Sequence, residues 1–168
     1  MPLAFNGHCV VCLVDGKQWS MGSPEHSVIF DGREYRFPSD AEKDKFLANP
    51  DRYVPALNGN SVVAYVNSGT LVSGNPRFGA IHRERVYLFQ DEGEKAAFLA
   101  NPSGYADADL AYRGASAVSL VDLGQSIAGR AEFAARYQGF RYLLNSAQER
   151  DTFLRTPGRY AQRNSAPQ

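Results

Sequence analysis

One ordering of apolar and polar positions runs three times along the chain. A short apolar run is followed by a Gly-rich polar turn. Two alternating segments split by a two-residue turn come next, and then a charged stretch with one Phe-Leu or Tyr-bearing apolar face that stops at a proline. Residues 10–14, 62–66 and 117–121 are the apolar runs; their length and β-branched content predict short strands. The turn region around Gly22-Ser23-Pro24 leads into a predicted hairpin, residues 27–30 and 34–37 flanking Asp31-Gly32, a dipeptide that favours a tight primed turn. Arg83-Glu84 and Gln138-Gly139 fill the same slot in the later copies.

Helix starts are marked by a Ser or Asp with Glu three residues on, the capping-box spacing: Ser39 with Glu42, Asp91 with Glu94, Ser146 with Glu149. Each helix is predicted to end at a proline step, Asn49-Pro50, Asn101-Pro102 and Thr156-Pro157, because proline disfavours helical geometry in the residue before it. Phe46 and Leu47 are expected to lean onto the hairpin, with Tyr53 beneath them. The predicted fold class is therefore α+β, built from three tandem β-ββ-α modules.

Registers are fixed by the tyrosines that close each copy: 52 residues separate Tyr53 from Tyr105, and 55 separate Tyr105 from Tyr160. The lead-in also recurs, as Phe5-Asn6-Gly7, Leu57-Asn58-Gly59 and Tyr112-Arg113-Gly114. This divides the chain into modules at 1–53, 54–105 and 106–160, with a polar tail at 161–168. Units of about fifty residues bury little surface alone, and the joints are short, so the modules are expected to pack on one another.

Composition narrows the function. Hydrophobic residues make up 43% of the chain, too many for disorder. Lys plus Arg and Asp plus Glu both total 18, and no basic run stands out, which argues against a nucleic-acid or anionic-membrane partner. No apolar stretch reaches bilayer length, and no secretory signal is visible, so the expected location is cytoplasmic if Met1 is the native start. Two cysteines are too few to staple three modules. Neither a P-loop, nor G-x-G-x-x-G after a strand, nor a G-x-S-x-G elbow is present, and the chain is expected to be non-enzymatic.

Glu34-Tyr35-Arg36-Phe37 followed by Phe46-Leu47-Ala48-Asn49-Pro50-Asp51-Arg52-Tyr53 resembles the YHS domain, a relative of the TRASH metal-trafficking modules. Three tandem copies cover nearly the whole chain. The resemblance implies a small treble-clef-like fold and heavy-metal binding by a cysteine on the first strand with a cysteine pair around the helix start. Cys12 falls on the first-strand cysteine and Cys9 on the Asp of the family's phrase. The helix-start positions hold Pro38 and Glu42, then Gln90 and Glu94, then Asn145 and Glu149. Copies two and three replace the strand cysteines by Ser61 and Ala64, then Ser116 and Ser119, so only the first copy retains thiols.

Cys9-x-x-Cys12 is the sharpest chemical feature. It suits zinc or copper if the backbone turns between the thiols and further donors join, with His8, His26 or Glu42 as candidates. The same spacing suits a redox pair or two buried structural thiols, and all three readings stand at this point. His26 and His82 occupy positions that are aromatic in other copies, which favours a packed ring over a ligand. The recurrent Glu42, Glu94 and Glu149 are read as helix caps rather than acid–base groups. Trp19, beside Met21, marks a contact surface if exposed and a loop anchor if packed. Lys17, Arg33 and Arg85 read as solvated charges. A metal-free module that docks a protein partner is the alternative function.

Overall fold

The computed structural model describes residues 1–161; the remainder of the predicted polar tail, 162–168, lies outside the described residues. Its elements are α1 (Val10–Gly16), β1 (Ser23–Phe30), β2 (Arg33–Phe37), α2 (Asp40–Ala48) and α3 (Pro50–Tyr53), then α4 (Val62–Ser68), β3 (Asn75–His82), β4 (Arg85–Phe89) and α5 (Glu92–Ala100), then α6 (Ala117–Leu123), β5 (Arg130–Tyr137), β6 (Phe140–Leu144), α7 (Ala147–Arg155) and α8 (Pro157–Tyr160). The class is α+β: three two-stranded antiparallel sheets, each followed by a helix.

The leading apolar runs differ from the expected strands. Extended pairing there is confined to single bridges, His8 with Met21, Asn60 with Ser73 and Ala115 with Ala128, and the runs themselves are the helices α1, α4 and α6. Their ends explain why. Cys9, Ser61 and Ser116 occupy the N-cap, each side chain accepting an amide three residues on. Lys17, Gly69 and Gly124 close the helix in the left-handed conformation. A five-residue apolar run is ambiguous between strand and buried helix, and the caps decide it against β-branched propensity.

The hairpins follow the sequence closely. Val28 pairs Tyr35, Ala80 pairs Tyr87 and Ala135 pairs Tyr142, with the same register shift near the start of the first strand in every copy. All three tips carry two left-handed residues, including Arg83 and Glu84 at φ 48° and 64°, where no glycine relieves the strain. Where the chain enters each hairpin, a glycine lies against the opposing strand. A Cβ on Gly22, Gly74 or Gly129 would sit 2.4, 2.6 or 2.1 Å from backbone atoms of Arg36, Leu88 or Leu143.

Each module is centred on one helix phenylalanine. Phe46, Phe98 and Phe153 are fully buried, with ring centroids 4.8, 4.6 and 4.6 Å from Tyr35, Tyr87 and Tyr142. Burying such a ring contributes about 2–3 kcal/mol, so these pairs dominate each small core. Leu47, expected beside Phe46, instead points outward and is 49% exposed, as are its counterparts Leu99 and Leu154 at 55% and 49%. Neighbouring helical positions cannot share one narrow face. The modules do pack together: Val86 and Leu88 of β4 join the first module's core, while the second and third share one continuous cluster. Asp31 at the first hairpin tip accepts the Gln138 and Gly139 amides of the third, at 2.7 and 2.6 Å.

Candidate functional site

The helical turn after Cys9 brings the two thiols onto one corner. Cys9 Sγ accepts the Cys12 amide at 3.2 Å, and the helix supplies the backbone turn between the two cysteines. Cys9 is buried; burial first, and then the neighbouring Cys12 thiol, push its pKa up to about 12, so it is a neutral thiol at neutral pH. The other proposed donors have partners of their own. His8 Nδ1 is 3.1 Å from the Phe5 carbonyl oxygen and its ring meets Trp19 edge-on at 5.4 Å. His26 pairs with Asp40 at 2.9 Å on an exposed face. Glu42 accepts the Ser39 hydroxyl at 2.5 Å. Among the described residues no group of three or more His, Cys, Asp or Glu is placed to hold an ion. The donor set therefore does not fit a four-coordinate metal.

The corresponding corners of the other modules hold hydrogen-bonded clusters. In the third, Glu149 takes the Ser116 hydroxyl at 2.5 Å, the Ser119 hydroxyl at 2.6 Å and the Asn145 amide at 2.9 Å. In the second, Glu94 takes the Ser61 hydroxyl at 2.7 Å and the Gln90 amide at 2.9 Å. Ser61, Ser116 and Ser119 are completely buried. Burial alone would raise the Glu149 carboxyl, yet the two serine hydroxyls outweigh it and hold its pKa below the ordinary range. Asp91 and Ser146 cap their helices as expected, accepting the Glu94 and Glu149 amides at 2.9 and 3.1 Å, and Ser39 accepts the Ala41 amide at 3.2 Å. Glu94 and Glu149 thus do more than cap: each ties the first helix of its module to the second. The sequence signal for these serines was their alignment with Cys9 and Cys12.

The remaining histidine behaves as a packed ring. His82 meets Phe98 edge-on at 5.7 Å, matching the Phe30–Phe46 contact of the first module. Arg85 is not a solvated charge. Its guanidinium forms an ion pair with the fully buried Asp109 and donates to the Ala106 carbonyl at 3.0 Å. Asp109, in the joint between modules, escaped the sequence reading because joints are where the copies diverge.

A groove runs between the first two modules. Trp19 and Ile81, 50% and 41% exposed, stand over an apolar floor that includes Leu13, Val86 and Leu88, in a cavity of about 590 Å³. Among the described residues its charged lining is Lys17, Arg77 and Lys95. A second hollow continues from Trp19, Pro76 and Arg77 toward His8 and Asn6. An apolar trough with a purely cationic rim can take an amphipathic anion-bearing segment and repels a basic one. No helix among the described residues is long and apolar enough to cross a membrane. Set against protein-family models, curated proteins and solved structures, the chain matches none of them.

Proposed function

We propose that the chain is a non-enzymatic scaffold of three YHS-like modules whose first groove docks an acidic, apolar segment of a partner protein. The observation that carries this reading is the groove itself: exposed Trp19 and Ile81 over an apolar floor, with Lys17, Arg77 and Lys95 and, among the described residues, no carboxylate in its lining. Large aromatic side chains at a concave surface are the residues that most often anchor protein contacts, and the rim charge sets the sign of the partner. Metal capture is the weaker reading, since among the described residues no third donor joins Cys9 and Cys12, and Cys9 holds its proton. A thiol redox role meets the same obstacle, because the thiolate is the reactive form.

Trp19 is the sole tryptophan and so reports on the groove directly. Short peptides alternating Leu or Phe with Glu are titrated against the full chain, with Lys-for-Glu counterparts as the control set. The acidic set is expected to shift Trp19 emission to shorter wavelength while the basic set leaves it unchanged. Arg77→Glu with Lys95→Glu should reverse that preference. No shift with the acidic set up to about 1 mM, or an equal shift with both sets, would overturn the proposal.

A further inference from the structure

A further cavity, of about 300 Å³, lies where all three modules meet, and among the described residues its wall carries Arg52, Arg83, Arg85, Arg136 and Arg141 with Asp51 and Glu84. The wall is rich in guanidinium, with Asp15, Asp107 and Asp109 engaging it from outside the lining, so the case for a site rests on donors left without acceptors. Several of these cations are held by carboxylates: Arg52 by Asp15 at 3.0 Å, Arg85 by Asp109, and Arg136 through Nε by Asp51 at 2.7 Å. Arg141 is only loosely engaged, 3.7 Å from Asp107 and 4.0 Å from Asp109.

Arg136 is the informative residue. Its side chain is 4% exposed, and while Nε is fixed on Asp51, itself part of the cavity wall, both Nη nitrogens are buried with no hydrogen-bond partner. Arg141 Nε is likewise buried without a hydrogen bond, its contact to Asp109 being 4.0 Å long, and Asp109 Oδ1 also has no hydrogen-bond partner among the described residues. Buried guanidinium donors without acceptors are uncommon, and the guanidinium fork matches the spacing of phosphoryl oxygens. The repeat makes the residue stand out further. Positions equivalent to Arg136 are Ile29 and Ile81, so the hairpin does not require a cation there.

The geometry points to this arginine-lined cavity as a binding site for the phosphoryl groups of a small soluble phosphate ester or diphosphate, with Arg136 and Arg141 as the anchoring donors and Arg83 at the rim. The site is separate from the Trp19 groove and does not depend on what that groove binds.

The test is calorimetric titration of the full chain with pyrophosphate at low salt, with citrate and anionic phospholipid vesicles as parallel arms. Pyrophosphate should bind and raise the melting temperature, and Arg136→Ile, which installs the residue of the other two copies, should weaken it by at least about tenfold. Arg83→Asn, at an exposed left-handed turn position, provides a second variant that leaves the core alone and should also weaken binding. Absence of binding at about 10 mM pyrophosphate, or unchanged affinity in both variants, would overturn the assignment. Citrate binding as tightly as pyrophosphate, or vesicles binding where pyrophosphate does not, would overturn it as well.

Discussion

Replacing Glu149 by alanine is the perturbation that separates the three module corners most sharply. The carboxylate accepts two hydroxyls and one amide, at 2.5, 2.6 and 2.9 Å, and both serines are completely buried. Hydrogen bonds to a charged acceptor contribute roughly 1.5–3 kcal/mol each, and stranding a buried hydroxyl adds a desolvation cost, partly offset because Ser116 still accepts the Ser119 amide. The expected loss is about 3–5 kcal/mol, or about 10 °C in melting temperature for a chain of this length. Glu42→Ala removes the bond to the Ser39 hydroxyl and weaker backbone contacts at the helix start, strands no buried hydroxyl, and should cost only about 0.5–1 kcal/mol. Urea and thermal denaturation followed by circular dichroism measure both. Ser116→Ala and Ser119→Ala combined with Glu149→Met should recover part of the loss, since no buried hydroxyl is then stranded, while the Asn145 and Ser119 amides still lose their acceptors. The pH dependence has a definite sign. The Glu149 pKa in the folded chain lies below its ordinary value of 4.5, so its stabilisation is present above that pH and is lost as pH falls through the folded value. The gap between wild type and Glu149→Gln should therefore close in acid. Equal costs for Glu42→Ala and Glu149→Ala would refute the reasoning.

Other consequences are simpler to check. Gly129→Ala should destabilise the third hairpin by about 2 kcal/mol or more in a denaturation series, because its Cβ would lie 2.1 Å from the Leu143 carbonyl oxygen. Glu84→Gly should raise stability by about 0.5–1 kcal/mol by relieving a left-handed residue at φ 64°. Iodoacetamide at neutral pH should label Cys12 well before Cys9, read by peptide mass mapping, since Cys9 is buried and protonated up to about 12. The stability that neutral Cys9 contributes is present below the thiol's ordinary pKa and is lost as pH rises toward about 12.

Much of this architecture was legible because the chain repeats itself. The aromatic pairs, hairpin registers and helix caps recur at fixed offsets, so each copy checks the others. The leading helices were misread as strands because the residues that decide them are caps outside the apolar run: Ser61 and Gly69, Ser116 and Gly124. Leu47 was misplaced for a different reason, since a pattern of identities does not say which side of a helix a residue faces. The arginine cavity was invisible because its members come from separate modules and carry no linear pattern. The Ser–Glu clusters were half visible. Substitution of Cys9 and Cys12 by serine in the third copy was readable in the sequence, whereas the carboxylate that receives those hydroxyls required the fold.

We propose that aromatic packing and serine–carboxylate clusters hold the modules together without an ion. Thermal melting of the full chain with and without a strong chelator, paired with elemental analysis of the purified protein, tests this most directly. An unchanged melting temperature and no stoichiometric metal are predicted. A bound equivalent of zinc or copper that disappears in Cys9→Ser, together with a lower melting temperature on chelation, would contradict it.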